Sequence, residues 1–162
     1  MELIVLGKTN DDKGTQLEQL TKSLLERLGY KEIVLNDIGP GGQEIDLRAE
    51  ILIPSLQGEQ QRRVICECKA HRTPIGLTDW LKFIGKVHVE EIRLQREITG
   101  CFIALSGVNG SVAGSFDELR QHRQSIELIT GEHLVGLLQK VFDFAPLDVV
   151  TENYRSSLHA NS

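Results

Sequence analysis

An α/β fold built on one dominant sheet is the expectation for this chain, and three patterns carry it. Leu17, Leu20, Leu24, Leu25 and Leu28 recur at helical spacing. Two segments, Glu44 to Ile53 and Arg63 to Ala70, alternate apolar with polar residues as strands do. The apolar run Cys101 to Leu105, bounded by Gly100 and Gly107, reads as a buried central strand.

Taken in order, residues 1–12 form a lead segment, and Gly14 to Leu28 forms an amphipathic helix. Gly7-Lys8-Thr9 resembles the end of a phosphate-binding loop, but Glu2 stands where that pattern needs its first glycine. Lys31 to Asn36 reads as a strand, and Asp37 to Gly42 as a loop leading into the next one. In that next strand Ile45, Leu47, Ala49, Ile51 and Ile53 share an apolar face, with Asp46, Arg48 and Glu50 opposite. Pro54 to Gln61 is polar and carries turn residues, so it reads as the loop of an antiparallel hairpin. On the returning strand Val64, Cys66, Cys68 and Ala70 face one way, Glu67 and Lys69 the other.

Leu77 to Glu97 follows as a long helix whose Trp80, Phe83, Ile84, Val87 and Ile92 suit a core. After the strand at Cys101 come a loop, a helix from Val112 to His122 with Ser111 as its N-cap, a strand from Ile126 to Ile129, and a helix from Glu132 to Phe142. Residues 13–145 are expected to be one domain and 146–162 a polar tail.

Composition narrows the class. The 162 residues are 40% hydrophobic and 25% charged, as in an ordinary globular domain able to bury a core. No apolar run is long enough to span a bilayer, and Met1 to Leu6 lacks the charged start and length of a signal peptide, so a cytoplasmic protein is expected. Three cysteines, an odd number, all fall inside expected strands and read as buried free thiols rather than disulfides or a zinc site. The five histidines show no paired helical spacing.

Folding the hairpin about its loop brings Asp46 roughly opposite Lys69 and diagonal to Glu67, within reach of cross-strand neighbours. Two carboxylates and an ammonium then share one patch. Hard divalent cations such as Mg²⁺ prefer such oxygens and keep waters and phosphate in their shell. Lys69 is suited to orient a water or to stabilise charge growing on a phosphate. A lone Glu-x-Lys arises by chance in roughly half of chains this long, at about 6% usage of each residue. The upstream Asp, the matched parity and the hairpin make the combination much rarer. Glu18 borders the buried stripe of the first helix and reads equally as an added acid aimed toward the sheet or as a first-turn Glu favoured by the helix dipole.

Asp46 with Glu67-Cys68-Lys69 resembles the PD-(D/E)xK signature of restriction-endonuclease-like nucleases. The surrounding segments, Gly14-Thr15-Gln16-Leu17-Glu18, Gly41-Gly42-Gln43-Glu44-Ile45-Asp46-Leu47 and Gly100 to Gly107, are similar to the Mrr-like branch, over about Lys13 to Phe142. Ile45 stands in place of the strict proline, and Glu67 stands where that branch often has Gln. The resemblance implies a core of αβββαβ order with a mixed central sheet flanked by helices. It also implies hydrolysis of DNA phosphodiester bonds with Mg²⁺ or Mn²⁺, and commonly a homodimer. It assigns Asp46, Glu67 and the Cys68 backbone carbonyl as metal ligands, Lys69 as the water-orienting group and Glu18 as an accessory acid.

The net charge of −5 argues against a broad basic DNA-binding face. Local basic groups remain at Arg62, Arg63, Lys69, His71, Arg72, Lys82, Lys86, Arg120 and Arg123, each read first as a solvated surface charge. The competing reading is a catalytically silent nucleic-acid-binding or assembly module of the same fold, part of a larger protein.

Overall fold

The computed structural model describes residues 3, 5, 7–39, 42–122 and 125–142. The expected tail, Pro40-Gly41 of the glycine loop and Arg123 lie outside the described residues. The chain runs α1 (Asn10–Arg27), β1 (Lys31–Ile38), β2 (Glu44–Ser55), β3 (Gly58–Lys69), α2 (Leu77–Leu94), β4 (Thr99–Ala104), α3 (Gly110–His122), β5 (Ile126–Thr130), α4 (Gly131–Phe142). The sheet has the order β1-β2-β3-β4-β5, antiparallel from β1 to β3 and parallel from β3 to β5. The expected mixed α/β sheet and the order of its core elements are therefore present.

Two apolar clusters sandwich the sheet. Leu17, Leu20, Leu24 and Leu25 of α1 and Leu134, Val135 and Leu138 of α4 pack on Leu47, Ala49, Val64, Cys66, Cys68 and Ile103. Trp80, Phe83 and Val87 of α2 and Val112 of α3 pack on Ile45, Ile65, Phe102 and Ile126 of the other face. Trp80 is fully buried, stacks edge-on against Phe102 at 5.4 Å, and its indole N–H donates to Ser115 Oγ at 3.0 Å, so it is a core residue as expected. Among the described residues no helix is long and apolar enough to cross a membrane.

Helix α1 begins four residues before the expected Gly14. Thr9 caps it: Asp12 N–H donates to Thr9 Oγ1 at 3.1 Å and Thr9 N–H donates to Asp12 Oδ2 at 3.2 Å. Its end is a Schellman turn, with Tyr30 N–H on the Leu25 carbonyl and Gly29 N–H on the Glu26 carbonyl, Gly29 at φ +91°. Helix α2 stops at Leu94, short of the expected Glu97, because Gln95 turns left-handed at φ 51°. The N-cap of α3 is Asn109, whose Oδ1 accepts from Val112 N–H at 3.0 Å, and not the expected Ser111.

The hairpin departs most from expectation. Ser55 pairs with Gly58, so the connection is the two residues Leu56 and Gln57, and most of the expected Pro54 to Gln61 loop is strand. Gly58 adopts φ +111°, and Ser55 Oγ donates to the Gly58 carbonyl at 2.6 Å, closing the turn. The polarity of this stretch reflects a ribbon solvated on both faces, because Pro54 to Arg62 are all exposed.

Alternation in β2 is also broken. Leu47 and Ala49 lie beneath α1 and α4 as expected, whereas Ile45 packs with Ile65 beneath α2. The paired ladder to β3 begins only at Leu47↔Cys66, so Ile45, opposite Asp37, is held by β1 alone.

Candidate active site

The β2–β3 register puts Leu47 opposite Cys66 and Arg48 opposite Ile65. Continued by one residue, it sets Asp46 opposite Glu67, not Lys69. The two-residue turn shifts the pairing by two positions from the expected one, toward Glu67, and the Glu67 carboxylate is near enough to act on Asp46.

Asp46 takes the place of the missing ladder. Its Oδ2 accepts the Cys68 backbone N–H at 2.7 Å, a charge-assisted bond that ties the start of β2 to the end of β3. Burial first, and then the nearby Glu67 carboxylate, push the Asp46 acid above its usual range; the Cys68 N–H, Lys69 and Lys86 pull the other way without winning. The Cys68 thiol points into the α1 side, where it meets Thr21 Oγ1 at 3.5 Å, so only the backbone of Cys68 reaches this site. Burial drives that thiol well above its ordinary value, as suits an inert core cysteine.

Glu67 is the hub. Strand parity places it with Lys69 on the α2 face, and its side chain is only 8% exposed. Lys69 Nζ sits 2.8 Å from Oε1, and Lys86 Nζ, from α2, sits 2.6 Å from Oε2. Burial works against the Lys69 ammonium, but Glu67, Asp46 and Asp79 outweigh it, and its pKa lies above the usual lysine value. At the end of β3 the Lys69 carbonyl accepts from Leu105 N–H at 3.0 Å, which anchors this strand to the segment after β4.

Glu18 approaches from α1. Its acid is raised by burial and then by Asp46, with Glu44 and Glu67 adding, while a bond to Asn36 lowers it. Because α1 starts at Asn10, Glu18 lies mid-helix, and the first-turn dipole reading of this residue falls. Asp46, Glu67, Lys69 and Glu18 are thus brought into one electrostatic neighbourhood.

Lys86 is the residue that sequence reasoning missed, having been read as a solvated surface charge. Nothing local marks it, since its partner lies nineteen residues away. Helix α2 is held over β2 and β3 by Phe83 and Val87 and by Glu90, whose buried carboxylate takes Arg48 Nη2 at 2.9 Å and Arg93 Nη2 at 2.6 Å. Arg48 also pairs with Asp37 of β1.

Among the described residues no three His, Cys, Asp or Glu side chains form a ready-made metal cage. Asp46 and Glu67 suit a hard divalent cation nonetheless, because such ions take one or two carboxylates and fill the remaining positions with water and phosphate. Asp46, raised by burial and then by Glu67, belongs to a pair whose mutual repulsion a cation would relieve.

A search of curated proteins finds no significant match. Among solved structures, a DNA modification-dependent restriction endonuclease, AspBHI, superposes with a TM-score of 0.55 at 16% identity, over 98% of this chain and 44% of that one. MspJI restriction endonuclease in complex with a 27-mer oligonucleotide gives 0.54 at 16% identity, over 86% of this chain and 31% of that one. A protein of unknown function, AF1548, gives 0.51 at 20% identity over 75% and 65%. At such identities the likeness is one of fold, and this chain spans less than half the length of either endonuclease. The Mrr catalytic family model, described as restriction endonuclease, matches residues 11–138. With this match covering most of its 162 residues, the chain belongs to the restriction endonuclease family.

Proposed function

We propose that this domain hydrolyses phosphodiester bonds in DNA with a divalent cation, Mg²⁺ or Mn²⁺, held by Asp46, Glu67 and the Cys68 backbone carbonyl. The convergence of Asp46 and Glu67 at the open end of the β2–β3 ladder, with Lys69 on Glu67, carries this reading. When bound, the cation acidifies a water and neutralises charge on the phosphate. The Lys69 ammonium, kept protonated by the surrounding carboxylates, orients the attacking water and meets charge developing on the phosphoryl oxygens. Glu18 serves as an accessory acid, holding a water on the α1 side of Asp46. Asp46 does double duty by fixing the Cys68 backbone, which keeps the Cys68 carbonyl in place.

Three free, buried cysteines support a reducing, cytoplasmic setting. Cutting both strands of a duplex calls for two such centres, and pairing of two copies is the simplest supply.

The test is incubation of the purified chain with plasmid, single-stranded DNA and RNA, in Mg²⁺, Mn²⁺ or chelator. Cleavage of DNA that needs the ion and vanishes in Lys69→Met is the expected result. Binding of DNA without cleavage under every condition would instead support a silent module.

A further inference from the structure

We propose that Lys86 is a positioning residue whose ammonium is the resident countercharge of Glu67, and that a divalent cation binds this site by displacing it from Glu67 Oε2. The inference rests on the reading of Asp46 and Glu67 as metal ligands.

Both Glu67 oxygens are occupied: Oε1 by Lys69 at 2.8 Å and Oε2 by Lys86 at 2.6 Å. Lys69 follows from strand parity, two residues along the same face. Lys86 reaches Glu67 only because α2 is fixed above it. Glu90, one helical turn beyond Lys86 on the same face, is 3% exposed and latched to Arg48 of β2. A carboxylate as enclosed as Glu67, with its side chain 8% exposed, calls for a cation beside it. In the free protein the two lysines supply that charge.

A divalent ion needs at least one Glu67 oxygen, and two ammonium groups within 2.8 Å oppose its arrival by like-charge repulsion. Lys69 sits two residues from Glu67 on the same strand and pairs with the other oxygen, Oε1, so an ion that takes Oε2 leaves that pair in place. Lys86 comes from another element on a flexible stem, with its side chain 20% exposed, and has a path to solvent or to a substrate phosphate. Lys86 therefore holds Glu67 in a ligand-ready pose and, at the same time, holds down the affinity for the ion in the absence of DNA.

The experiment measures Mn²⁺ binding to the full chain without DNA, by electron paramagnetic resonance of the free ion. Lys86→Met is expected to bind Mn²⁺ about tenfold tighter than wild type, equivalent to about 1.4 kcal/mol. Without metal its melting temperature should be lower than that of wild type, and Mn²⁺ should raise it by more. Lys86→Arg, which keeps the charge, should bind Mn²⁺ as wild type does. Unchanged or weaker Mn²⁺ binding in a folded Lys86→Met protein overturns the inference. Should that variant not fold, Lys86→Gln, which keeps a hydrogen bond to Glu67 without the charge, must show the same tightening or the inference is overturned. A Glu67→Ala protein that binds Mn²⁺ as well as wild type would remove the metal-ligand reading itself. Loss of binding in Glu67→Ala with no tightening in either Lys86 variant sinks the role of Lys86 alone.

Discussion

Asp46 has two tasks that a pair of substitutions separates. Its carboxylate accepts the Cys68 N–H at 2.7 Å, and it stands in an environment that disfavours its charge. Asp46→Asn keeps an acceptor oxygen for that N–H. Exchanging a charge-assisted bond for a neutral one costs about 1 kcal/mol. That loss is already among the influences favouring ionised Asp46, and burial together with Glu67 outweighs them all. The net sign for Asp46→Asn at neutral pH is therefore stabilising or neutral.

Asp46→Ala removes the acceptor and leaves the partly buried Cys68 N–H unpaired, at about 1–3 kcal/mol. For a chain of this size each kcal/mol is about 2–4 °C of melting temperature. Asp46→Asn should thus melt at or above wild type, and Asp46→Ala, which sheds the same charge but loses the acceptor, several degrees below Asp46→Asn. Both should lose DNA cleavage by at least about 10²-fold, the scale set by removing one charge-stabilising group. Calorimetry without metal and a plasmid-nicking assay with Mn²⁺ report the two effects. An Asp46→Asn protein destabilised as much as Asp46→Ala would refute the electrostatic account of this residue, and retained cleavage in either would take Asp46 out of the mechanism.

A Cβ on Gly131 would fall well inside contact distance of the Leu105 carbonyl oxygen, whose residue is bonded to Lys69, so Gly131→Ala should cost about 1–3 kcal/mol and lower activity, whereas Gly136→Ala, with open space around it on the same helix, should be neutral or stabilising by about 0.5–1 kcal/mol; thermal melts of the two check this. The raised acids also set a pH dependence. Above their ordinary values of 3.8 and 4.5, and up to their raised folded values, Asp46 and Glu18 bind more protons folded than unfolded, so their contribution to stability falls as pH rises through that window. Denaturant melts across that range should show the fall reduced in Asp46→Asn, and Mn²⁺ affinity should decline on acidification at higher pH than for an ordinary aspartate.

Periodicity alone determined the element types, their order, the helix that buries Leu17 to Leu25, and the sharing of one strand face by Glu67 and Lys69. These depend on side-chain direction within a single element, which spacing in the chain dictates. The resemblance of Asp46 and Glu67-Cys68-Lys69 to a known signature added the family, and the match over residues 11–138 bears it out. Tertiary structure decided what lies between elements. The turn at Leu56-Gln57 set the register that brings Asp46 near Glu67, the Thr9 cap moved Glu18 to mid-helix, and the Glu90–Arg48 latch carried Lys86 onto Glu67. Turn length, cap position and helix docking are settled by hydrogen bonds and packing between residues far apart in the chain, and no local pattern records them.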